Sequence, residues 1–108
     1  MKILNIHKTV TADELLRLIR QKLNPLFKEQ RQVEILFTAE NRDGAVEVSQ
    51  PDLYEGFLFR IEIKGTQLLI TRSADYIDDV NALTVESILN ALFAELAGKS
   101  GVTFVLEG

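Results

Sequence analysis

Gly98-Lys99-Ser100 is the first group whose residue types suggest chemistry, since a phosphate-binding loop ends this way. Such a loop also needs a glycine five positions before Gly98, where this chain has Phe93, and it must open a helix after a strand. Here the triplet follows a helical pattern, so it reads as a helix end and a turn. Asp75, Asp78 and Asp79 form the densest carboxylate cluster, and oxygen-rich clusters hold Mg²⁺ or Ca²⁺. Their spacing fits no calcium loop and lacks its internal glycine, so they read as a solvated loop ahead of a helix. His7 is the single histidine, and nothing in the sequence supplies the acid or nucleophile a general base requires. Ser49, Ser73, Ser87 and Ser100 sit in strands, caps and turns, none in a nucleophile-elbow pattern. The chain has no cysteine, which removes disulfides, thiol catalysis and thiolate metal sites together. The sequence therefore assigns no catalytic, cofactor-binding or metal-binding residue, and what remains is surface.

Three surfaces stand out. Arg17, Arg20, Lys28 and Arg31 fall within one arc of the first predicted helix, opposite its apolar stripe. They read either as a stripe for an anionic partner or as a solvated helix face. Ser87, Asn90, Ala91 and Ala94 leave the outer arc of the second helix small and nearly uncharged, between Glu86 and Glu95. Exposed helices ordinarily carry more charge there, so another helix approaches closely or alanine simply serves as a helix former. Leu36, Leu58 and Leu69, with Arg60 beside them, are expected on the outer face of a sheet, where three leucines in a charged frame would make a binding patch. Strand register decides whether they meet.

The elements that position these residues follow from periodicity. Lys2–His7 reads as a short strand with Leu4 and Ile6 on one face. Thr11 opens a helix with a capping box completed by Glu14, and Leu15, Leu16, Leu18, Ile19 and Leu23 follow at helical spacing. Pro25 predicts a kink, or a stop and restart at Asn24, with the helix ending near Gln30. Val33–Glu40 and Ala45–Ser49 read as a hairpin around Asn41-Arg42-Asp43-Gly44. Phe57–Lys64 alternates most clearly, with Phe57, Phe59, Ile61 and Ile63 on one face, and Gln67–Arg72 returns after Gly65-Thr66. Ser73–Leu83 is polar and acidic, with one irregular turn. Thr84 is expected to cap the second helix, whose stripe is Val85, Ile88, Leu89, Leu92, Phe93 and Leu96, and Gly98 ends it. Val102–Glu107 reads as a last strand.

The order β-α-β-β-β-β-α-β, with one apolar face per strand, predicts an α+β two-layer sandwich: a mostly antiparallel sheet with two helices on one face. At 108 residues with 46% hydrophobic and 26% charged content, a single domain spanning 1–108 with a sizeable core is expected. The net charge of −4 and a pI near 5.0 disfavour general binding of a phosphate backbone. Charge is polarised along the chain, +4 over residues 1–31, −3 over 32–72 and −5 over 73–108, which points to pairing within the fold or between chains. The N-terminal segment resembles no signal peptide, and no unbroken apolar run approaches the roughly 20 residues of a membrane span. A cytoplasmic protein with no membrane contact is the expectation.

The reading that fits best is a non-catalytic protein-binding domain: a small adaptor, inhibitor or chaperone-like protein, or one that forms a homodimer. Enzyme status stays open, leaning against. An alternative is a small-molecule pocket protein or enzyme using carboxylates with Tyr54 or Tyr76 in the 50–56 and 73–83 loops. A weaker one is nucleic-acid binding through the stripe on the first helix. The plan resembles that of many small adaptors, secretion chaperones and inhibitors, but architecture does not fix function.

Overall fold

A computed structural model describes all 108 residues. The strands are β1 (Lys2–Asn5), β2 (Thr38–Arg42), β3 (Ala45–Ser49), β4 (Phe57–Lys64), β5 (Gln67–Arg72) and β6 (Thr103–Leu106), and the helices are α1 (Ala12–Arg31) and α2 (Val80–Ala97). All strand pairs are antiparallel, in the order β2-β3-β4-β5-β1-β6. The α+β class, the element order and the antiparallel sheet are as the periodicity predicts. The first and last strands pair with each other, a point the sequence leaves open.

Two rows of facing residues define the inner side of the sheet. Val46, Ile61, Ile70 and Lys2 lie across one another, as do Ile63, Leu68, Leu4 and Phe104. Against them pack the α1 stripe (Leu15, Ile19, Leu23, Phe27) and the α2 stripe (Val85, Ile88, Leu89, Leu92, Phe93), which with the sheet form one core of 25 buried residues. The burial of so much aliphatic and aromatic surface, at ~25 cal/mol per Å², is what holds the layers together.

The Thr11 cap is present: the Thr11 hydroxyl accepts from the Glu14 N–H at 3.1 Å, and Glu14 accepts from the Thr11 N–H at 3.4 Å. α1 then runs through Pro25 without stopping, and Asn24 caps nothing. Pro25 is exposed, and Asn24 turns its amide to the sheet instead. It accepts from the Phe37 N–H at 2.8 Å and donates to the Phe37 carbonyl at 3.0 Å. Gln32, with φ of 56°, ends the helix in the left-handed conformation.

Other boundaries shift for traceable reasons. β2 starts at Thr38 rather than Val33, because β3 offers partners only for Thr38–Arg42. The hairpin turn has positive φ at both Asp43 (53°) and Gly44 (84°), the tight mirror-image form. α2 begins at Val80, capped by the Asp79 carboxylate accepting from the Ala82 N–H at 2.9 Å. Thr84 lies inside the helix, donating to the Val80 carbonyl. Gly98 closes α2 with φ of 57°.

Candidate partner-binding surfaces

The expected leucine patch is not assembled. Val48 faces Phe59 and Ser49 faces Phe57, so Leu58 has no partner across the ladder and β4 bulges there. A bulge breaks strict alternation, and Leu58 joins the core at 1% exposure. Leu36 lies in the segment before β2, 69% exposed and off the sheet. Leu69 alone occupies the outer face as expected, half-buried between Glu62 and Ile3.

Arg60 is on the outer face but is taken up internally. Its guanidinium meets Glu47 at 2.5 Å and Glu62 at 3.7 Å. Arg42 meets Glu40 at 3.0 Å and Glu47 at 3.7 Å. This lattice of alternating charge crosses β2, β3 and β4 and covers Ala45, which is buried. The outer face thus carries no single-sign field, only a small apolar end where Leu69, Ile3 and Leu106 lie across β5, β1 and β6.

The basic residues of α1 are dispersed by their partners. Arg20 donates to the Ala39 carbonyl at 2.9 Å, and Lys28 pairs with Glu34 at 2.7 Å. That hydrogen bond raises the Lys28 pKa and lowers that of Glu34, though both side chains stay exposed. Arg31 is half-buried, and Arg17 is exposed. Lys22, outside the expected stripe, reaches Glu95 of α2 at 2.6 Å. Part of the charge polarity is therefore resolved between the two helices of one chain.

The tyrosines and a carboxylate of the 50–56 and 73–83 loops do meet. The Tyr54 and Tyr76 rings stand edge to face at 4.8 Å. The Tyr54 hydroxyl donates to Asp79 at 2.9 Å and accepts from Asn81 at 3.2 Å, while the Tyr76 hydroxyl accepts from the Glu55 N–H at 2.7 Å. Burial, and after it the Asp79 carboxylate, push the Tyr54 pKa upward, with Asn81 pulling the other way. Both hydroxyls and one Asp79 oxygen have internal partners, so the cluster clamps two loops to the start of α2. A cleft of about 450 Å³ lies nearby between α2 and the sheet, floored by Phe59, Ile70 and Leu89 with Arg72 and Glu86 at its rim, and neither tyrosine lines it. His7 bonds the Thr103 hydroxyl at 2.7 Å and so ties the end of β1 to β6.

The α2 arc is in place. Ser87, Asn90, Ala91 and Ala94 are all exposed. The earlier helix start adds Val80 and Leu83 to the same arc, both exposed, so the uncharged strip runs from Val80 to Ala94. α2 is apolar enough over Val80–Ser100, with mean hydropathy 1.3, to match a membrane span by length and composition, yet its inner face is packed in the core. Interruption by Asn81, Glu86, Asn90 and Glu95 hides this from a search for unbroken apolar runs.

Sequence reasoning missed the two sheet edges. The β2 edge carries Glu40 and Arg42, and α1 reaches its beginning: Asn24 takes the N–H and carbonyl of Phe37, just before the strand, and Arg20 takes the Ala39 carbonyl. The β6 edge is different. Thr103–Leu106 is entirely exposed, with Phe104 at 57%, Val105 at 51% and Leu106 at 50%, and no strand lies on its far side. The signal was legible as a four-residue strand with no charge and no proline, the features that ordinarily guard an edge.

No family model, curated protein or solved structure matches the chain.

Proposed function

We propose that the chain is a non-catalytic protein-binding domain, a small cytoplasmic adaptor, inhibitor or chaperone-like protein. One observation carries this reading: exposed apolar and uncharged side chains collect on the α2 arc and the β6 edge, neither of which carries an Asp, Glu, Lys or Arg. A helix with apolar character on its inner and outer sides is one whose outer side is also covered. The candidate chemistry of the loops argues for the same reading, because Tyr54, Tyr76 and Asp79 hold one another. Arg20 and Lys28 likewise face groups of their own chain, which weakens the case for nucleic acid.

The test is partner retention by the immobilised chain together with solution mass by light scattering. The expected result is a mass above that of the chain or a stoichiometrically retained protein, reduced by Ala91→Arg, which projects a charge from the arc. A chain that stays at its own mass and retains no protein overturns the reading.

A further inference from the structure

Resting on that protein-binding reading, we infer that the partner is a second copy of this chain, seated on the uncharged arc of α2 by antiparallel packing of α2 against α2 about a two-fold axis at Ser87. The arc points away from the sheet, opposite the buried Val85, Leu89 and Leu92, so its occupant approaches from outside the helix layer. Two copies then stack helices against helices, with the two sheets outermost.

The spacing of large and small residues along the arc points to this occupant. Ser87, Asn90, Ala91 and Ala94 stand at i, i+3, i+4 and i+7, all exposed. Four residues so spaced are the corners of a hole that receives a knob from a facing helix. Three of them are small, and the Asn90 amide oxygen is held by the Lys2 ammonium of β1 at 2.7 Å. The same arc carries two exposed knobs, Leu83 at 45% and Val80 at 51%. In an antiparallel pair centred on Ser87, each position after it comes level with the position equally far before it in the mate. Leu83 then meets the level of the mate's Ala91, inside its hole, and Val80 the level of the mate's Ala94.

One rotation therefore fills both holes, which is the self-complementarity an isologous interface requires. A hole alone would accept a knob from any helix; a knob and a hole placed equally far from Ser87 on either side fit this helix turned end for end. Ser87 lies on the axis, where a small side chain lets the two backbones approach to the ~8 Å of closely packed helices. Charge does not oppose the approach, although each copy carries −4. The carboxylates on the flanks of the arc are neutralised within the chain, Glu86 by Arg72 at 3.5 Å and Glu95 by Lys22 at 2.6 Å. Size sets the strength. A single helix flank ~21 Å long and ~10 Å wide falls short of the about 800 Å² per partner of a standard interface, so the dimer is weak and forms with rising concentration.

The experiment is sedimentation equilibrium on the full chain from ~1 µM to ~1 mM, the span of weak association, with far-UV circular dichroism to confirm that each variant folds. The wild-type mass should rise from 12.2 kDa toward twice that value, at low and high salt alike. Leu83→Arg should hold it at one chain, and Leu36→Arg, at an exposed leucine off the arc, should leave the association unchanged. Because the chain lacks cysteine, Ser87→Cys adds a check that does not depend on the arginine variant folding: oxidation should cross-link it to its own mate. Val80→Cys and Ala94→Cys should cross-link when mixed and not separately, since each lies ~21 Å along the helix pair from its own copy. A dimer that survives Leu83→Arg, or whose cysteines cross-link in another pattern or not at all, overturns the α2 pairing while the protein-binding reading stands. A wild type that stays at one chain throughout overturns the second copy as occupant, including the case in which a helix of another protein binds the arc; only a monomer that also retains no protein overturns both.

Discussion

Leu58 and Leu36, both expected on the outer face of the sheet, part ways: Leu58 enters the core and Leu36 stays exposed off the sheet. Period-two alternation puts Leu58 with Arg60 and Glu62, outside, yet the bulge opposite Val48 and Ser49 sends it into the core. Leu58→Ala should therefore cost about 2–5 kcal/mol, and Leu36→Ala less than about 0.5 kcal/mol, in urea denaturation; equal small losses would contradict the burial. Tyr54 gives a pH-dependent prediction. Its folded pKa lies above the ordinary 10.0, raised chiefly by burial, so the folded state keeps the proton longer than the unfolded chain. The stability this supplies is fully present below pH ~10 and is lost as pH rises through the higher folded value. Tyr54→Phe should cost about 1 kcal/mol at neutral pH through the lost bond to Asp79, and should remove the alkaline loss attributable to this group. A variant whose stability falls as steeply as the wild type above pH 10 would place the effect elsewhere.

At the scale of elements, most of the fold was legible because each strand and helix has a strong period. The Thr11 box, the Asp43-Gly44 turn, the β4 and β5 strands and the α2 stripe all follow from local chemistry. What was not legible depends on partners far away in sequence. Val33–Phe37 alternates like a strand, but β3 ends at Ser49 and leaves it nothing to pair with. Asn24-Pro25 carries the local signature of a helix start, but the Asn24 amide is drawn to Phe37, 13 residues on. The candidate surfaces fared likewise. The α2 arc was readable from helical spacing alone, whereas the leucine patch depended on register and the α1 stripe on partners in β2 and beyond. Two substitutions test this account of α1. Asn24→Ala should cost about 1–3 kcal/mol by leaving the part-buried Phe37 amide and carbonyl unpaired, and should speed hydrogen exchange at the Phe37 amide. Pro25→Ala should raise stability by up to about 3 kcal/mol without altering helix content; a loss of stability would show that Pro25 supports the turn toward β2.

At the scale of the whole molecule, the α2 arc and the β6 edge stand out as exposed surfaces without charge. The charge polarity of the sequence is met in part within one chain by Lys22–Glu95, and the outer face of β2–β4 holds its own lattice of ion pairs. Exposed pairs of this kind contribute little each, about 0–1 kcal/mol, and salt screens them. They are weak candidates for holding two molecules together. The uncharged α2 arc and β6 edge are not screened, and they adjoin through Lys2, Asn90 and Phe104. An association built on them should therefore ignore salt, whereas one built on the basic α1 and the acidic C-terminal region should not. Solution mass of the unmodified chain, measured by light scattering at low and high ionic strength, distinguishes these directly. The protein-binding reading predicts, at both, a mass above that of the chain or a protein retained in stoichiometric amount; a chain at its own mass that retains no protein at either ionic strength, or a complex that dissociates in high salt, would contradict it.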